Sequence, residues 1–366
     1  MTLTNVLVYD TEGRAFRQGS ISWENGRITH ISREAEGNDN GDCDLIIPGL
    51  IDVHTHGRNG YSFTSASVDE LKTMRRLYAL QGVTTVIPTL SSATLEDWLG
   101  AVSRIREAGF RAIHLEGRYL NLEKRGAHAA NLLSPLRPEE IDLIADRAGD
   151  MHLHVSACYE ADHDGSFMKA VLSHGGTAGL AHTMATYEEA MTAVSRGLRS
   201  FSHLFNAMPS IHHRAGGAVV AGLLSDAFVE VICDGFHLAP ETVALIGKAK
   251  DPSRVVLITD SVKALGQPDG VYGEAGLTYY VKDGRTRTED GAIAGSTLEL
   301  LNGVKNYAAF RHIPFAGAVA AATANPAAML GLEGIGELKV GYRADFLRLS
   351  PDFQLKEVYV GGSPVV

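Results

Sequence analysis

Six residues able to bind cations or move protons recur at one kind of place in this chain, at or just past the end of a short apolar run. They are His54, His56, Glu116, His182, His203 and Asp260. Imidazole nitrogens and carboxylate oxygens are the donors of catalytic cation sites, where one carboxylate and two imidazoles leave a position open for water. In Asp52-Val-His54-Thr-His56 the two histidines are two apart, so on a strand both rings project to one side and reach one cation. The pair recurs at His152-Leu-His154, but no further ligand signal accompanies it, and those histidines read as structural. His163, His174, His212, His213 and His312 lack such placement and read as surface or loop residues. The set as a whole points to a metal-dependent hydrolase.

Convergence of residues so far apart requires a particular scaffold. Apolar runs of strand length lie near 46–53, 83–89, 111–115, 152–157, 177–181, 199–203, 228–233 and 255–259. Stretches of helical periodicity separate most of them, as in Val68-Asp-Glu-Leu-Lys-Thr-Met-Arg-Arg-Leu-Tyr-Ala-Leu and Glu188-Glu-Ala-Met-Thr-Ala-Val. Such alternation predicts an α/β fold of parallel strands and crossover helices, and eight repeats predict a closed (β/α)8 TIM-like barrel. Active sites in that architecture form at the C-terminal strand ends, where all six residues fall. Residues 2–47 and 337–366 instead alternate as short strands, the first around Glu24-Asn-Gly-Arg-Ile, whose Asn-Gly is a hairpin signal. The expected organisation is a small β-sandwich domain from 1–47 and 337–366, with the catalytic barrel, 48–336, between its halves.

Composition fits this plan and excludes other classes. A chain of 366 residues, 45% hydrophobic, can bury a large core, and a barrel of ~250 residues leaves room for the second domain. No run of ~18 apolar residues is present, and the N-terminus lacks the basic start and apolar core of a signal peptide, so a cytoplasmic enzyme without membrane partners is expected. Cys43, Cys158 and Cys233 form no CxxC pair and read as buried thiols. A formal charge of −10 argues against nucleic-acid binding, so an anionic substrate would have to meet local positive charge.

The order Pro48-Gly-Leu-Ile-Asp-Val-His-Thr-His-Gly57, His114-Leu-Glu-Gly117, Gly126-Ala-His128, Ser202-His-Leu-Phe-Asn-Ala-Met208, Asp234-Gly-Phe-His237, Ile258-Thr-Asp260 and Ala294-Gly-Ser-Thr-Leu298 resembles the N-acetylglucosamine-6-phosphate deacetylases of the amidohydrolase superfamily. The resemblance spans nearly the whole chain, and His-Leu-Phe-Asn-Ala-Met followed by Asp-Gly-x-His is its most specific part. It implies that Glu116, His182 and His203 bind the principal metal, that Asp260 is the general acid/base, and that His128 holds the acetyl carbonyl or sugar. It further implies substrate contacts at Asn206, Ala207, His237 and Ile293, and a phosphate grip by Arg214 reaching across from a neighbouring subunit. A homodimer with Arg214 and His237 near its interface follows. Relatives that replace the first histidine pair with amides hold one metal. This chain keeps His54 and His56, which leaves room for a second ion bridged through Glu116, so one or two divalent ions, zinc or iron, are expected.

The implied reaction is hydrolysis of the N-acetyl amide of N-acetylglucosamine 6-phosphate to glucosamine 6-phosphate and acetate. A divalent ion would lower its bound water's pKa toward ~7 and polarise the acetyl oxygen, with Asp260 taking the water's proton and then passing it to the departing amine. Three positions depart from the family pattern: Arg118 where a proline is usual, Ala215 after Arg214, and Ser261-Val-Lys-Ala-Leu-Gly266 after the aspartate. They lie where substrate is expected and bear on the sugar's identity, with Arg118 and Lys263 either contacting an anion or solvated. Open alternatives are the N-acetylgalactosamine 6-phosphate reaction, another N-acyl compound, and a catalytically silent scaffold. Cyclic-amide and dipeptide hydrolases commonly carry a fourth-strand lysine, which Met151-His-Leu-His-Val-Ser-Ala-Cys lacks.

Overall fold

Eight apolar runs become eight neighbouring strands in the computed structural model, which describes residues 1–33, 43–274 and 277–365. In chain order the barrel strands are Leu50–Thr55, Val83–Leu90, Ala112–Glu116, His152–Ala157, Thr177–Leu180, Ser200–Phe201, Phe228–Ile232 and Val255–Ile258. Each pairs in parallel with the next. The eighth returns to the first where Asp260 N–H donates to the His54 carbonyl (2.8 Å) and His56 N–H to that of Ser261 (2.7 Å). Helices Val68–Ala79, Leu95–Glu107, Pro138–Ala148, Ser166–Ser173, Tyr187–Ser195, Gly217–Leu224 and Pro240–Ala249 make the crossovers, and Leu300–Arg311 follows the eighth strand. Their starts are written locally. Ser67 with Glu70, and Thr186 with Glu189, form reciprocal capping boxes, and Pro138 and Pro240 occupy first turns where a missing N–H costs nothing.

Alternation along the strands divides their side chains between two environments. Ile113, Leu115, Val229 and Val231 join the layer under the helices, whereas Ala112, Phe228, Ile232, Val256 and Ile258 pack in a separate cluster with Ala327, Met329 and Leu330. Each fully buried Val, Leu, Ile, Phe or Met side chain among them contributes about 1.5–3 kcal/mol. Above this cluster the interior turns polar, with His54, His114, His154, Ser200 and Glu230 all 0% exposed. Hydrogen bonds hold that layer: His114 bridges Thr89 Oγ1 (3.1 Å) and Ser156 Oγ (2.7 Å), and Ser156 meets Ser202 (2.7 Å).

Both termini contribute to one seven-stranded sheet, ordered Ser363–Pro364, Leu355–Val360, Phe346–Leu349, Leu45–Pro48, Thr2–Asp10, Ala15–Glu24, Arg27–Arg33. Residues 34–42 and 366, which belong to the expected terminal layer, lie outside the described residues. The Asn25-Gly26 hairpin forms as expected, with Glu24 opposite Arg27. Trp23 clamps the two chain ends together, its ring 4.9 Å from Phe346 and its indole N–H donating to the Gly362 carbonyl at 2.8 Å. The run near 46–53 is two strands, since Leu45–Pro48 pairs in this sheet and Leu50–Thr55 in the barrel. Proline at 48, without an N–H, suits the end of a strand.

One element went unforeseen. Strands Gly270–Glu274, Leu277–Lys282 and Arg285–Thr288 form an antiparallel sheet after the eighth barrel strand, and Tyr279 and Val281 pack on Val262, Ala264 and Ala294. Its Asp283-Gly284 turn, with Lys282 opposite Arg285, is as plain a two-residue hairpin signal as Asn25-Gly26.

Candidate active site

Glu116, the last residue of the third strand, stands at the centre of the cluster. Its Oε2 lies 3.1 Å from His54 Nε2 and 3.0 Å from His56 Nε2, and its Oε1 lies 2.8 Å from His203 Nε2 and 3.5 Å from His182 Nε2. Asp260 Oδ1 approaches His56 Nε2 at 3.2 Å and His54 Nε2 at 3.7 Å. Two overlapping groups result, His54/His56/Glu116/Asp260 and Glu116/His182/His203, and within each the donor atoms all lie within 4.8 Å of one another. All six residues singled out by their strand-end positions therefore meet at one mouth of the barrel.

The backbone gives an independent mark of the same place. His182, His203 and Asp260, each just past a strand end, have φ of 43°, 30° and 49°, and Phe205 and Ala207 follow at 77° and 51°. A non-glycine residue in the left-handed region costs of order 1–3 kcal/mol and survives where surrounding structure holds it. Here it turns each side chain out of the strand and into the mouth. Gly295 permits the turn at Asp260, since a Cβ there would lie 2.7 Å from the Asp260 carbonyl oxygen.

Hydrogen bonds behind the rings suit the cluster to cations. His54 Nδ1 meets Glu230 Oε2 (2.9 Å), His56 Nδ1 meets Ser91 Oγ (2.8 Å), and His182 Nδ1 donates to the Lys124 carbonyl (2.7 Å). With Nδ1 engaged, the ligand nitrogen of each ring is Nε2, which faces Glu116. The charge balance agrees. Glu116, Glu230 and Asp260 are all buried, and their ion pairs among the described residues are with histidines, never with Lys or Arg. Burial opposes ionisation of Glu116, yet His54 and His203 hold it well below the usual carboxylate range. Burial likewise opposes charge on His56, but Asp260 and Glu116 lift it to about 9. Such a pocket places a cation among carboxylates, and the donor set fits a divalent one.

A cavity of about 410 Å³ opens over the cluster, and its wall includes His56, Glu116, His128, His182, His203, Asn206, Ala207, His237, Asp260 and Ile293. His54 lies beneath, fully buried. His128, lowered to about 3 by burial and by neighbouring His182, presents a neutral ring whose Nδ1 meets Ser92 Oγ at 2.9 Å. Asp234 Oδ2 holds His237 Nδ1 at 2.7 Å. Arg214 stands apart, on an exposed loop outside the cavity with Nη1 2.6 Å from His213 Nε2. Its side chain does not join the others within one chain. The structural reading of the second histidine pair agrees with the geometry: His152 and His154 both bond to Thr177 Oγ1, at 3.0 and 2.9 Å.

Sequence reasoning passed over Glu230, Lys124, Ser91 and Ser92. Glu230 did carry a signal, being the one charge in the buried run Phe228-Val-Glu-Val-Ile232. The departures at Arg118 and Lys263 need correction, because neither lines the cavity. Arg118 is neither an anion contact nor solvated: its fork grips Glu140, with Nη2 3.1 Å from both oxygens, and Tyr119 O–H donates to the same carboxylate at 2.7 Å. Lys263 Nζ donates to the Gly273 carbonyl. Ser261 latches the barrel, its hydroxyl 2.7 Å from Thr55 Oγ1 and its carbonyl accepting from His56 N–H. Only Val262 of that segment reaches the cavity wall. Because Arg118→Met strips Glu140 of its fork and leaves the buried carboxylate only the Tyr119 hydroxyl and the more distant Arg137 guanidinium (3.9 Å), it should cost about 2–3 kcal/mol of stability while leaving KM unchanged. Urea unfolding beside steady-state kinetics checks this, and a raised KM at unaltered stability would return Arg118 to the substrate site.

Comparison with known proteins agrees with the site. Residues 45–365 match the model of the amidohydrolase family. An N-acetylglucosamine-6-phosphate deacetylase from Vibrio furnissii is 33% identical, over 96% of this chain and 92% of that protein. An N-acetylgalactosamine-6-phosphate deacetylase from Escherichia coli O157:H7 is 31% identical, over 88% of each. Among solved structures, an N-acetyl-D-glucosamine-6-phosphate deacetylase mutant from Mycobacterium smegmatis, in complex with N-acetyl-D-glucosamine-6-phosphate, superposes with a TM-score of 0.93 at 31% identity, covering 100% of this chain and 99% of that one. The chain belongs to the amidohydrolase family and, within it, to the family of the N-acetylglucosamine-6-phosphate deacetylases.

Proposed function

We propose that this protein hydrolyses N-acetylglucosamine 6-phosphate to glucosamine 6-phosphate and acetate in a metal-dependent reaction. The observation that carries the reading is the cluster around Glu116, opening into a cavity with Asp260 in its wall, in a chain of this family. Glu116, His182 and His203 would hold the principal ion, and His54, His56 and Asp260 border a second position. A divalent cation bound there supplies Lewis acidity, bringing a water's pKa toward ~7 and polarising the acetyl carbonyl. Zinc or iron suits imidazole and carboxylate donors.

The chain's own residues handle the protons. As the water oxygen bonds to the acetyl carbon, the Asp260 carboxylate accepts the water's proton. It then protonates the amide nitrogen as the C–N bond breaks, releasing acetate and the free amine. With its Nδ1 accepting from the Ser92 hydroxyl 2.9 Å away, His128 would carry its own proton on Nε2 and offer it to the acetyl oxygen. Asn206, Ala207, His237 and Ile293 line the sugar's side of the cavity.

Arg214 serves the phosphate in this reading, from a neighbouring subunit of a homodimer, which accounts for its position outside its own cavity. Arg214→Ala should raise KM for the phosphorylated sugar by about 10- to 100-fold, the worth of a charge-assisted fork, and leave unphosphorylated N-acetylglucosamine unaffected. Equal losses on both sugars would sink the phosphate role. No helix of the described residues is long and apolar enough to cross a membrane. A sugar phosphate is charged and does not cross membranes unaided, which favours a cytoplasmic enzyme.

Acetate release from the gluco and galacto 6-phosphates tests the reading and its nearest rival, since the relative that acts on the galacto sugar is almost as similar. Preference for the gluco epimer supports the proposal. Preference for the galacto epimer replaces it.

A further inference from the structure

We infer that Glu230 is a positioning residue that builds the second cation position, by holding His54 with its Nε2 turned toward Glu116 and Asp260. The inference rests on the metal-dependent reading above. Glu230 sits in the middle of the seventh strand, 0% exposed, and sequence and family motifs assign it nothing. Its Oε2 accepts from His54 Nδ1 at 2.9 Å, and its Oε1 lies 3.4 Å from Ser200 Oγ and 3.5 Å from His154 Nε2. His154 is itself held through Nδ1 by Thr177 Oγ1 at 2.9 Å, so the carboxylate rests on a fixed ring.

An imidazole that gives its Nδ1 proton to a carboxylate keeps its lone pair on Nε2 and becomes a more basic ligand. His54 Nε2 then faces Glu116 Oε2 at 3.1 Å and Asp260 Oδ1 at 3.7 Å. The other half of the centre is built differently. His182 gives its Nδ1 proton to the neutral Lys124 carbonyl, and His203 Nδ1 has no hydrogen-bond partner among the described residues. A carboxylate therefore backs a ligand of the His54/His56 half, and Glu230 should act on one ion and spare the other.

The test is titration of metal-free protein with zinc, followed by elemental analysis and calorimetry. Wild type should take up two ions. Glu230→Gln removes the charge and Glu230→Asp keeps it while withdrawing it by one methylene, so each should weaken the second ion about 10- to 100-fold and leave the first unchanged. Excess zinc should refill the position and restore kcat, with KM and Tm little altered, a rescue that mere structural damage would not show. A wild type that holds one ion, or either folded variant that binds both as wild type does, overturns the inference. Deacetylation by a one-ion wild type would do so while leaving the proposed function standing. Two ions without deacetylation would do the reverse.

Discussion

Asp260→Asn should lower kcat for acetate release by about 10³- to 10⁴-fold, the upper part of the range for losing a general acid/base. The amide matches the carboxylate in shape, but it cannot take a proton from water or return one to nitrogen. The backbone that aims the side chain is secured independently, by Asp260 N–H donating to the His54 carbonyl and Ser296 N–H donating to the Asp260 carbonyl, both at 2.8 Å. The left-handed φ of 49° is also one that asparagine adopts readily. Fold, KM and bound metal at the Glu116/His182/His203 group should therefore persist, and the loss should appear in kcat. Kinetics with metal analysis on one preparation would check this. Retention of a tenth of wild-type kcat would move the proton-transfer role elsewhere, with His128 the next group in the cavity wall.

Glu116→Gln should have the other large effect, by removing metal rather than proton transfer. Both candidate ligand groups share this side chain, one oxygen facing His54 and His56 and the other facing His203 and His182. An amide offers one weaker acceptor in place of two anionic oxygens, so neither group keeps its central ligand. Metal content should fall to near zero and turnover by more than about 10³-fold, the scale attached to the metal's own catalytic effects. Stability supplies a second readout, because a ligand bound only by the folded state adds about 4 kcal/mol at 1,000 times its Kd. Zinc should raise the Tm of chelator-stripped wild type and leave that of Glu116→Gln unchanged. A variant that still binds one ion tightly would show that the carboxylate is not shared.

Much of this was legible in the residues because barrel geometry converts sequence spacing into proximity. His54, Glu116, His182, His203 and Asp260 lie at or just past the ends of different strands, and reading where apolar runs end was enough to bring them together. The turn at Asn25-Gly26 was equally readable, being local chemistry. Arg118 was misread because its partner Glu140 lies on the following helix, and a sequence does not show that a loop arginine is buried against it. Glu230 was missed for a related reason: a lone charge in a strand gains meaning only once His54 and His154 are seen on either side of it. The sheet of Gly270–Glu274, Leu277–Lys282 and Arg285–Thr288 follows the eighth strand and so falls outside the barrel's repeat, although Asp283-Gly284 announced a hairpin.

The central claim is tested most directly by quantifying acetate and free amine together when metal-replete and chelator-stripped wild type are given N-acetylglucosamine 6-phosphate. The account predicts acetate and glucosamine 6-phosphate in equal amounts from the replete enzyme, next to none from the stripped enzyme, and recovery on adding zinc or iron back. An inert replete enzyme, or one that works equally well after its metal is removed, would contradict it.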